Sequence, residues 1–448
     1  MGSVIDGVPA LSSRTRNGKA RRLLERLFHD HKGNLAIRFG NGEAVVVGEG
    51  TPDCELVFNS LHPLRELILF ANPLRLADAY FRGRVDISGN IYSILQLKDY
   101  LKSLSLTIPE KFSLWLAALS MDEAGGGKAG TDTPWRWSKP LTMVMHSKNM
   151  NREAIGFHYD VSNDFYRLWL DRQMIYSCAY FEHAGESLES AQMNKLDLIC
   201  RKLRLHPGER FLDIGCGWGA LVIWAAKHYG VKAHGITLSR NQYAYAVQRV
   251  REEGLEDRVE VEFRDYRDLA GDGMYDKIAS VGMFEHVGLK NLPLYFSTVH
   301  RLLKPGGLFL NHGITQDEEG GTRTVGSEFI GKYVFPDGEL DMVSNIQKEM
   351  ERSAFEIHDV ESLRPHYALT LRHWVERLDE QHGEALRYVP EKVYRVWRLY
   401  MAGCALQFEN GEMGVYQILA AKRYPGQINL PLTRVELCCS RTDADVMH

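Results

Sequence analysis

Two patterns of apolar residues divide the chain. From about 20 to 105, short apolar runs such as LAIRFG and AVVVGEG alternate with amphipathic stretches such as RELILFANPLRLADAYF, which predicts a small domain of mixed strands and helices. From about 150 onward, apolar runs of strand length alternate regularly with stretches of helix length. This alternation predicts a doubly wound α/β fold with a mainly parallel sheet.

Six apolar runs supply the strands of the predicted sheet. They are FLDIG, KAHGIT, VEVEFRDY, YDKIASVGM, GLFLNHGIT and the late run GVYQILAAKR. The late run is expected to be antiparallel and to lie at an edge, where sheets of this class often carry such a strand. Residues 316–350 depart from the alternation and are predicted to form an inserted lid.

These patterns divide the chain into four segments. Residues 1–20 are polar and are expected to be flexible, and residues 21–105 are expected to form the small α+β domain. Residues 106–149 contain a stretch rich in glycine, charge and proline, which indicates a linker. Residues 150–448 are expected to form the main domain, which includes the lid.

The overall charge argues against one class of partner. The 54 Lys and Arg residues against 58 Asp and Glu residues give a net charge of −4, so no global basic field favours nucleic acid. No apolar run approaches the roughly 20 residues of a membrane span, and the N-terminal stretch lacks the apolar core of a signal peptide. The seven cysteines show no metal-ligand spacing, so we expect a reduced, cytoplasmic protein without a metal.

A glycine turn follows the first predicted strand of the main domain. In FLDIGCGWGA, Gly215, Gly217 and Gly219 stand between a strand and a helix, where glycine lets the backbone turn tightly and approach a ligand. The G-x-G-x-G spacing lacks the last interval of G-x-G-x-x-G, so pyrophosphate is less favoured. Asp213 is an acid that can pair with the ammonium and sulfonium charges of S-adenosylmethionine. The turn therefore predicts an S-adenosylmethionine site, with a purely structural turn as the alternative.

The next two strand ends carry further candidates for binding the nucleoside. KAHGIT ends in Thr237, and Gln242 follows a turn later. Both can hydrogen-bond, although an acid is the more usual partner of the ribose hydroxyls. VEVEFRDY ends in Asp265 and Tyr266, which we expect to meet the adenine edge. Asp265 alone would equally fit a solvated carboxylate at a strand end.

Five motifs, in order, resemble the cyclopropane-fatty-acid synthase family. They are YSCAYF, LDIGCGWG, GITLSRNQ, DYRDL and VGMFEHVG. The family includes bacterial phospholipid cyclopropane synthases and mycolic acid cyclopropane synthases, and the resemblance covers about 150–425. NPLRLADAYFRGRVDISGN also resembles the extra N-terminal domain of the phospholipid-acting members. The resemblance implies a seven-stranded, Rossmann-like methyltransferase sheet.

The resemblance also implies an activity and its site residues. The reaction would be methylene transfer from S-adenosylmethionine to a cis double bond of a phospholipid acyl chain, forming a cyclopropane through a carbocation that bound bicarbonate deprotonates. The residues that match the family's bicarbonate site are Cys178, Glu285, His312, Ile314 and Tyr367. Tyr176 and Ser177 match cofactor contacts, together with the turn and strand-end residues named above.

The implied substrate sets the expected partners. An enzyme of this kind would contact the inner face of a membrane peripherally and take its acyl chain from the bilayer. The small domain of 21–105 would serve lipid docking or dimerisation, and we expect a homodimer.

Each candidate catalytic residue also has an ordinary structural interpretation. Glu285 follows the fourth strand in an apolar context, where a carboxylate must be paired or functional. His312 alone would most often be a satisfied core residue, and Tyr367 a packing aromatic. Cys178 alone would be a small buried apolar residue. Cys404 matches a cysteine proposed as important in the family, but its context, YMAGCALQF, favours packing in a helix.

Three other functions stay open at this point. The same lipid cation could lead to a methylene- or methyl-branched chain, because both outcomes begin with the same transfer. A small-molecule amine methyltransferase would share the fold but would need neither the N-terminal domain nor His312. A catalytically silent lipid-binding protein would not need the glycine turn with Glu285 and His312.

Overall fold

The chain forms two compact units. The computed structural model describes residues 24–25, 28, 31, 33–39, 44–48, 50–70, 73–103, 115–116, 162–317, 334, 338–425 and 430–438. Unit 1 comprises Met1–Lys139 with Pro390–Gly403, and unit 2 comprises Pro140–Val389 with Cys404–His448. The predicted flexible segment 1–20, nearly all of the linker 106–149 and most of the lid lie outside the described residues.

Unit 1 contains a four-stranded sheet and helices. Its strands are β1 (Leu35–Phe39), β2 (Ala44–Val47), β3 (Cys54–Phe58) and β4 (Val85–Gly89), and its helices are α1 (His62–Phe70), α2 (Pro73–Phe81) and α3 (Ile91–Ser103). The strand order is β2-β1-β3-β4, with β1 and β3 parallel and the other pairs antiparallel. Buried and partly buried residues alternate along β3, so one face of the sheet meets the apolar core.

A short segment from late in the chain belongs to unit 1. Helix α13 (Glu391–Asn410) begins in this unit, where Arg395 donates to the backbone oxygens of Tyr80 and Val85 at 2.8 and 3.1 Å. Arg398, which is buried, donates to Gly89 O at 3.1 Å. The sequence prediction places residues 390–403 in the main domain. It cannot detect these partners, because they lie about 300 residues earlier in the chain and leave no local pattern.

Unit 2 contains the larger sheet. Its strands are β5 (Arg210–Ile214), β6 (Lys232–Thr237), β7 (Val259–Phe263), β8 (Tyr275–Val281), β9 (Leu303–Gln316), β10 (Phe355–Ser362) and β11 (Met413–Lys422). Its helices are α4 (Asn163–Arg167), α5 (Leu188–Lys202), α6 (Ala220–Tyr229), α7 (Arg240–Glu252), α8 (Phe284–Val287), α9 (Leu292–Leu302), α10 (Val343–Arg352), α11 (Arg364–Glu380), α12 (His382–Ala385), the end of α13, and α14 (Val435–Cys438).

The seven strands lie in the order β10-β11-β9-β8-β5-β6-β7. Strands β5 to β9 are mutually parallel, and β11 is antiparallel to both of its neighbours. Helices α5 and α6 contribute to the core on one face, and α9 and α10 to the core on the other. The predicted doubly wound α/β sheet is therefore confirmed.

One strand departs from the prediction. The late run β11 is antiparallel as expected, but it lies inside the sheet, and β10 occupies the edge. The prediction missed β10 because only Phe355 and Asp359 of FEIHDVES are buried. Edge strands need little apolar pattern, since only one side of their backbone pairs within the sheet.

Within the described residues, no helix is long and apolar enough to cross a membrane.

Candidate active site

The glycine turn lies between β5 and α6, at the middle of the sheet. Gly219 is the residue before α6 and has φ of 87°, a left-handed conformation that glycine adopts without strain. A Cβ added there would lie 3.0 Å from the Cβ of Ala246 in α7. Gly215 N and Cys216 N both donate to Ile236 O of β6, which holds the turn at the carboxyl end of the strands.

An open cleft, with about 970 Å³ of empty space including its opening to solvent, lies at this end of the sheet. Its position is where doubly wound sheets bind ligands. Eight of the ten predicted cofactor residues line it: Tyr176, Ser177, Asp213, Gly215, Gly217, Thr237, Gln242 and Tyr266. The structure thus brings together residues from four separate motifs.

Local hydrogen bonds hold the polar side chains at the end of β6. Thr237 Oγ1 donates to Gln242 Oε1 at 2.7 Å and accepts from Ser239 N at 3.2 Å. Ser239 caps α7, because its Oγ accepts from Gln242 N at 3.3 Å. The cap fixes where α7 begins, and therefore where Gln242 meets the cleft.

Two predicted cofactor residues do not line the cleft. Gly219 shapes the turn instead. Asp265 is buried, but its carboxylate accepts from the guanidinium of Arg267 at 2.8 and 2.6 Å and from Arg267 N at 2.9 Å. Tyr266 does line the cleft, and its ring meets that of Tyr295 edge to face at 5.2 Å. The carboxylate of Asp265 is therefore paired with Arg267 of this chain.

Asp213 and Lys195 place opposite charges in the cleft. Burial raises the pKa of Asp213 to about 7, and its Oδ1 is buried without a hydrogen-bond partner in the described part of the chain. Lys195, on α5, donates to Ser177 Oγ at 2.8 Å, and burial lowers its pKa to about 8. Sequence reasoning missed Lys195. The available signal was its position in the buried stripe of α5 with Leu188 and Ala191, where a lysine is unusual.

A second cluster of polar groups adjoins the cleft. Glu285 lies on α8, two residues after Met283, which lines the cleft. Its Oε1 accepts from Ile314 N of β9 at 2.7 Å, and its Oε2 is buried with no hydrogen-bond partner among the described residues. Burial raises the pKa of Glu285 to about 7. A carboxyl group with one oxygen held and one uncommitted is suited to bind a small polar ligand.

Backbone contacts connect the other predicted bicarbonate residues to Ile314. Ile314 pairs with Val415 of β11, whose oxygen accepts from Leu363 N at 2.8 Å. Leu363 O then accepts from Tyr367 N at 3.1 Å and from Cys178 Sγ at 3.7 Å. Cys178 follows Ser177 of the cleft directly. A continuous chain of backbone and thiol contacts therefore links Ile314, Tyr367 and Cys178.

His312 lies two residues before Ile314, on the same face of β9. Burial holds its pKa well below the ordinary value, so the imidazole is neutral at physiological pH. Its Nδ1 lies 3.4 Å from Nε2 of Gln417 in β11. When the Gln417 amide donates to Nδ1, the ring hydrogen of His312 is on Nε2, which can then donate to a ligand.

The two cysteines among the candidates are both buried. Burial raises the pKa of the Cys178 thiol, which opposes thiolate formation. Cys178 is thus suited to contact a ligand as a neutral thiol or through its backbone. Cys404 is buried within α13, the helix interior expected of a packing residue.

Close packing between β9 and α8 gives a test of the cluster. A Cβ added to Gly313 would lie 2.0 Å from the ring of Phe284, the first residue of α8. Gly313→Ala should displace α8, weaken the bond between Glu285 and Ile314, and lower the free energy of unfolding by about 1–3 kcal/mol. Gly383→Ala is the control, because its Cβ would meet nothing within 4 Å. Thermal unfolding and turnover of the Gly313 variant that match the wild type would contradict this packing argument.

Comparison with known proteins identifies the family. Residues 146–418 match the model of the mycolic acid cyclopropane synthetase family. The chain belongs to this family. The match spans the glycine turn, the cleft and the adjoining cluster. Residues 21–106 match a separate model, described as a domain of unknown function.

Individual relatives agree with the family match. A probable fatty acid methyltransferase of Pseudomonas putida is 44% identical over 387 residues, 86% of this chain and 89% of that protein. The cyclopropane-fatty-acyl-phospholipid synthase of Escherichia coli K12 is 41% identical over 265 residues, 59% of this chain and 66% of that protein. The solved structure of mycolic acid cyclopropane synthase CmaA1, complexed with SAH and CTAB, has a TM-score of 0.58 and 36% identity, covering 60% of this chain and 98% of its own. The predictions of the family and of a methyltransferase enzyme are confirmed.

Proposed function

We propose that this enzyme transfers a methylene unit from S-adenosylmethionine to the cis double bond of an unsaturated phospholipid acyl chain, forming a cyclopropane ring. The family match over 146–418 is the observation that carries the proposal. The cyclopropane-fatty-acyl-phospholipid synthase of Escherichia coli adds the substrate class by its name. We further propose that the enzyme works at the cytoplasmic face of a membrane, as a peripheral protein and a homodimer.

The cleft suits the proposed cofactor chemically. Bound S-adenosylmethionine would supply an electrophilic methyl group. The uncommitted, buried Oδ1 of Asp213 provides an acceptor for a cationic group. Thr237, Gln242 and Tyr266 offer hydrogen-bonding and aromatic contacts at the ends of β6 and β7. The CmaA1 structure complexed with SAH supports this assignment.

The adjoining cluster suits a bicarbonate ion as the proton acceptor. With a pKa raised to about 7, Glu285 carries a proton part of the time at neutral pH and can then donate a hydrogen bond to an anion. Neutral His312 offers a second donor without quenching the anion's basicity. We therefore propose that Glu285, His312, Cys178, Ile314 and Tyr367 hold bicarbonate, and that Cys404 packs.

Aromatic rings beside the cleft suit a cationic lipid. The ring of Tyr176, which lines the cleft, lies 5.2 Å from that of Trp374 and 5.5 Å from that of Trp169. Tyr367 meets Trp374 edge to face at 6.1 Å. Aromatic faces stabilise a positive charge, and their bulk excludes the water that would capture it.

A second product has support from a specific observation. The Pseudomonas putida relative, which matches 86% of this chain, is named a probable fatty acid methyltransferase. The same methyl transfer could therefore end in a methylene- or methyl-branched chain. Both outcomes use the cleft, and they differ in the fate of the carbocation.

The lipid product decides between these functions. Expression in a host without such modification should add 14 mass units, one CH₂, to unsaturated phospholipid acyl chains. Proton NMR should show the upfield signals of ring methylene protons. Vinylidene or branched-methyl signals would instead assign the second product. An unmodified lipid pool in cells that contain the folded protein would contradict both products. A strain that expresses Asp213→Asn is analysed in parallel as the control for modification by the host.

A further inference from the structure

Two buried side chains of opposite charge share the cleft without pairing. The Lys195 side chain and the Asp213 side chain both line it, and the two residues are 2% and 3% exposed. They attract each other electrostatically, yet no salt bridge joins these two described residues. Isolated buried charges are costly, so each needs a partner that the cleft can supply.

The remaining neighbours of Lys195 leave that need unmet. Its ammonium has three hydrogens, and Ser177 Oγ is its one hydrogen-bond partner in the described part of the chain. Asp171 is the charged group with the largest electrostatic effect on Lys195, but the two described side chains form no salt bridge. The two carboxylate oxygens of Asp171 accept from Gln173 N and Ile175 N, each at 2.8 Å. The ammonium therefore retains donors for a ligand in the cleft.

A second lysine of the same helix shows what a satisfied buried lysine looks like. Lys202, also buried, forms salt bridges with Glu361 and with Asp359, the latter at 3.4 Å. It does not line the cleft. Helix α5 thus carries one lysine neutralised by carboxylates of this chain, and one that faces the ligand site.

We propose that Lys195, with Ser177, binds the carboxylate of the cofactor's α-amino acid group, while Asp213 receives its ammonium. A zwitterion presents opposite charges a short distance apart, which matches a lysine and an aspartate held apart in one cleft. The pair would select the complete cofactor against nucleosides that lack the amino acid, such as 5′-methylthioadenosine. This inference rests on the proposed cofactor but not on the lipid product.

Isothermal titration of the full chain with two ligands tests the role of Lys195. In Lys195→Met, the affinity for S-adenosylhomocysteine should fall at least tenfold, as expected for loss of a charge-assisted hydrogen bond. The affinity for 5′-methylthioadenosine should stay within twofold, which also shows that the adenosine part of the cleft is folded. Lys202→Met removes the other buried lysine of α5 and should leave the ratio of the two affinities unchanged.

Other results would overturn the assignment. Equal loss for both ligands in Lys195→Met would make Lys195 a general support of the cleft, and no loss for either would remove it from binding. If Lys195→Met does not fold, the test uses Lys195→Gln and a ligand in which the carboxylate of S-adenosylhomocysteine is replaced by a carboxamide. The wild type should bind S-adenosylhomocysteine at least tenfold more tightly than this carboxamide. Lys195→Gln should bind the two ligands with similar affinity. A wild type without preference, or a variant that keeps it, would refute the proposal whether or not lipid is modified.

Discussion

Replacing Glu285 with Gln, or His312 with Ala, should lower turnover at least tenfold and leave the affinity for S-adenosylhomocysteine within about threefold. General acid–base groups contribute effects of this size or larger. Glu285 and His312 lie in the cluster beside the cleft, and neither lines the cleft itself. Their loss should therefore affect the proton-transfer step more than cofactor binding. Turnover on unsaturated phospholipid vesicles and titration with S-adenosylhomocysteine measure the two effects.

A neighbouring buried residue supplies the control for these variants. Asn311 is buried next to His312, and by strand alternation its side chain lies on the other face of β9. Asn311→Ala should keep turnover within about threefold of the wild type. Removing bicarbonate from the buffer should slow the wild type. Full activity without bicarbonate would remove the anion from the mechanism, and lost cofactor binding in the Glu285 or His312 variants would show that the two sites are wrongly separated.

The cofactor cleft was largely predictable because its residues follow strands. In a parallel sheet the carboxyl ends of neighbouring strands meet at one edge, so Asp213, Thr237 and Tyr266 had to converge. Asp265 shows where this reasoning ends. Its position at the strand end fits the prediction, and the structure adds that Arg267, two residues later, donates to both of its oxygens. Which partner a carboxylate chooses depends on side-chain geometry that a motif does not contain.

Features that depend on distant parts of the chain were not predictable. Lys195 lies within α5, before strand β5 and the glycine turn, and only the fold brings it into the same cleft as Ser177 and Asp213. The edge strand β10 lacks the apolar run on which strand prediction depends. Residues 390–403 look like an ordinary helix of the main domain, although Arg395 and Arg398 use backbone oxygens near residues 80–89. In each case the deciding contact spans many residues of sequence.

The lipid-docking role expected for residues 21–105 predicts a selective loss of activity. Every residue assigned to the cleft and to the cluster belongs to unit 2. A chain beginning at 140 should therefore bind S-adenosylhomocysteine like the full protein. A substrate double bond, however, lies roughly 10 Å or more inside a hydrocarbon core about 30 Å thick, so the enzyme needs a means of docking on the bilayer. The shortened chain should lose at least nine-tenths of its activity on vesicles and keep most of it on a detergent-dispersed unsaturated lipid.

The contacts of α13 with residues 80–89 require a control in this experiment. Removing residues 1–139 also removes the backbone oxygens that Arg395 and Arg398 bind, so the helix start at 390–403 loses its partners. The N-terminal piece should therefore be supplied as a separate chain in a second sample, where recovery of vesicle activity is expected. Full activity of the shortened chain on vesicles would refute docking. Aggregation, or equal loss on vesicles and on dispersed lipid, would instead make unit 1 a folding partner that stabilises α13.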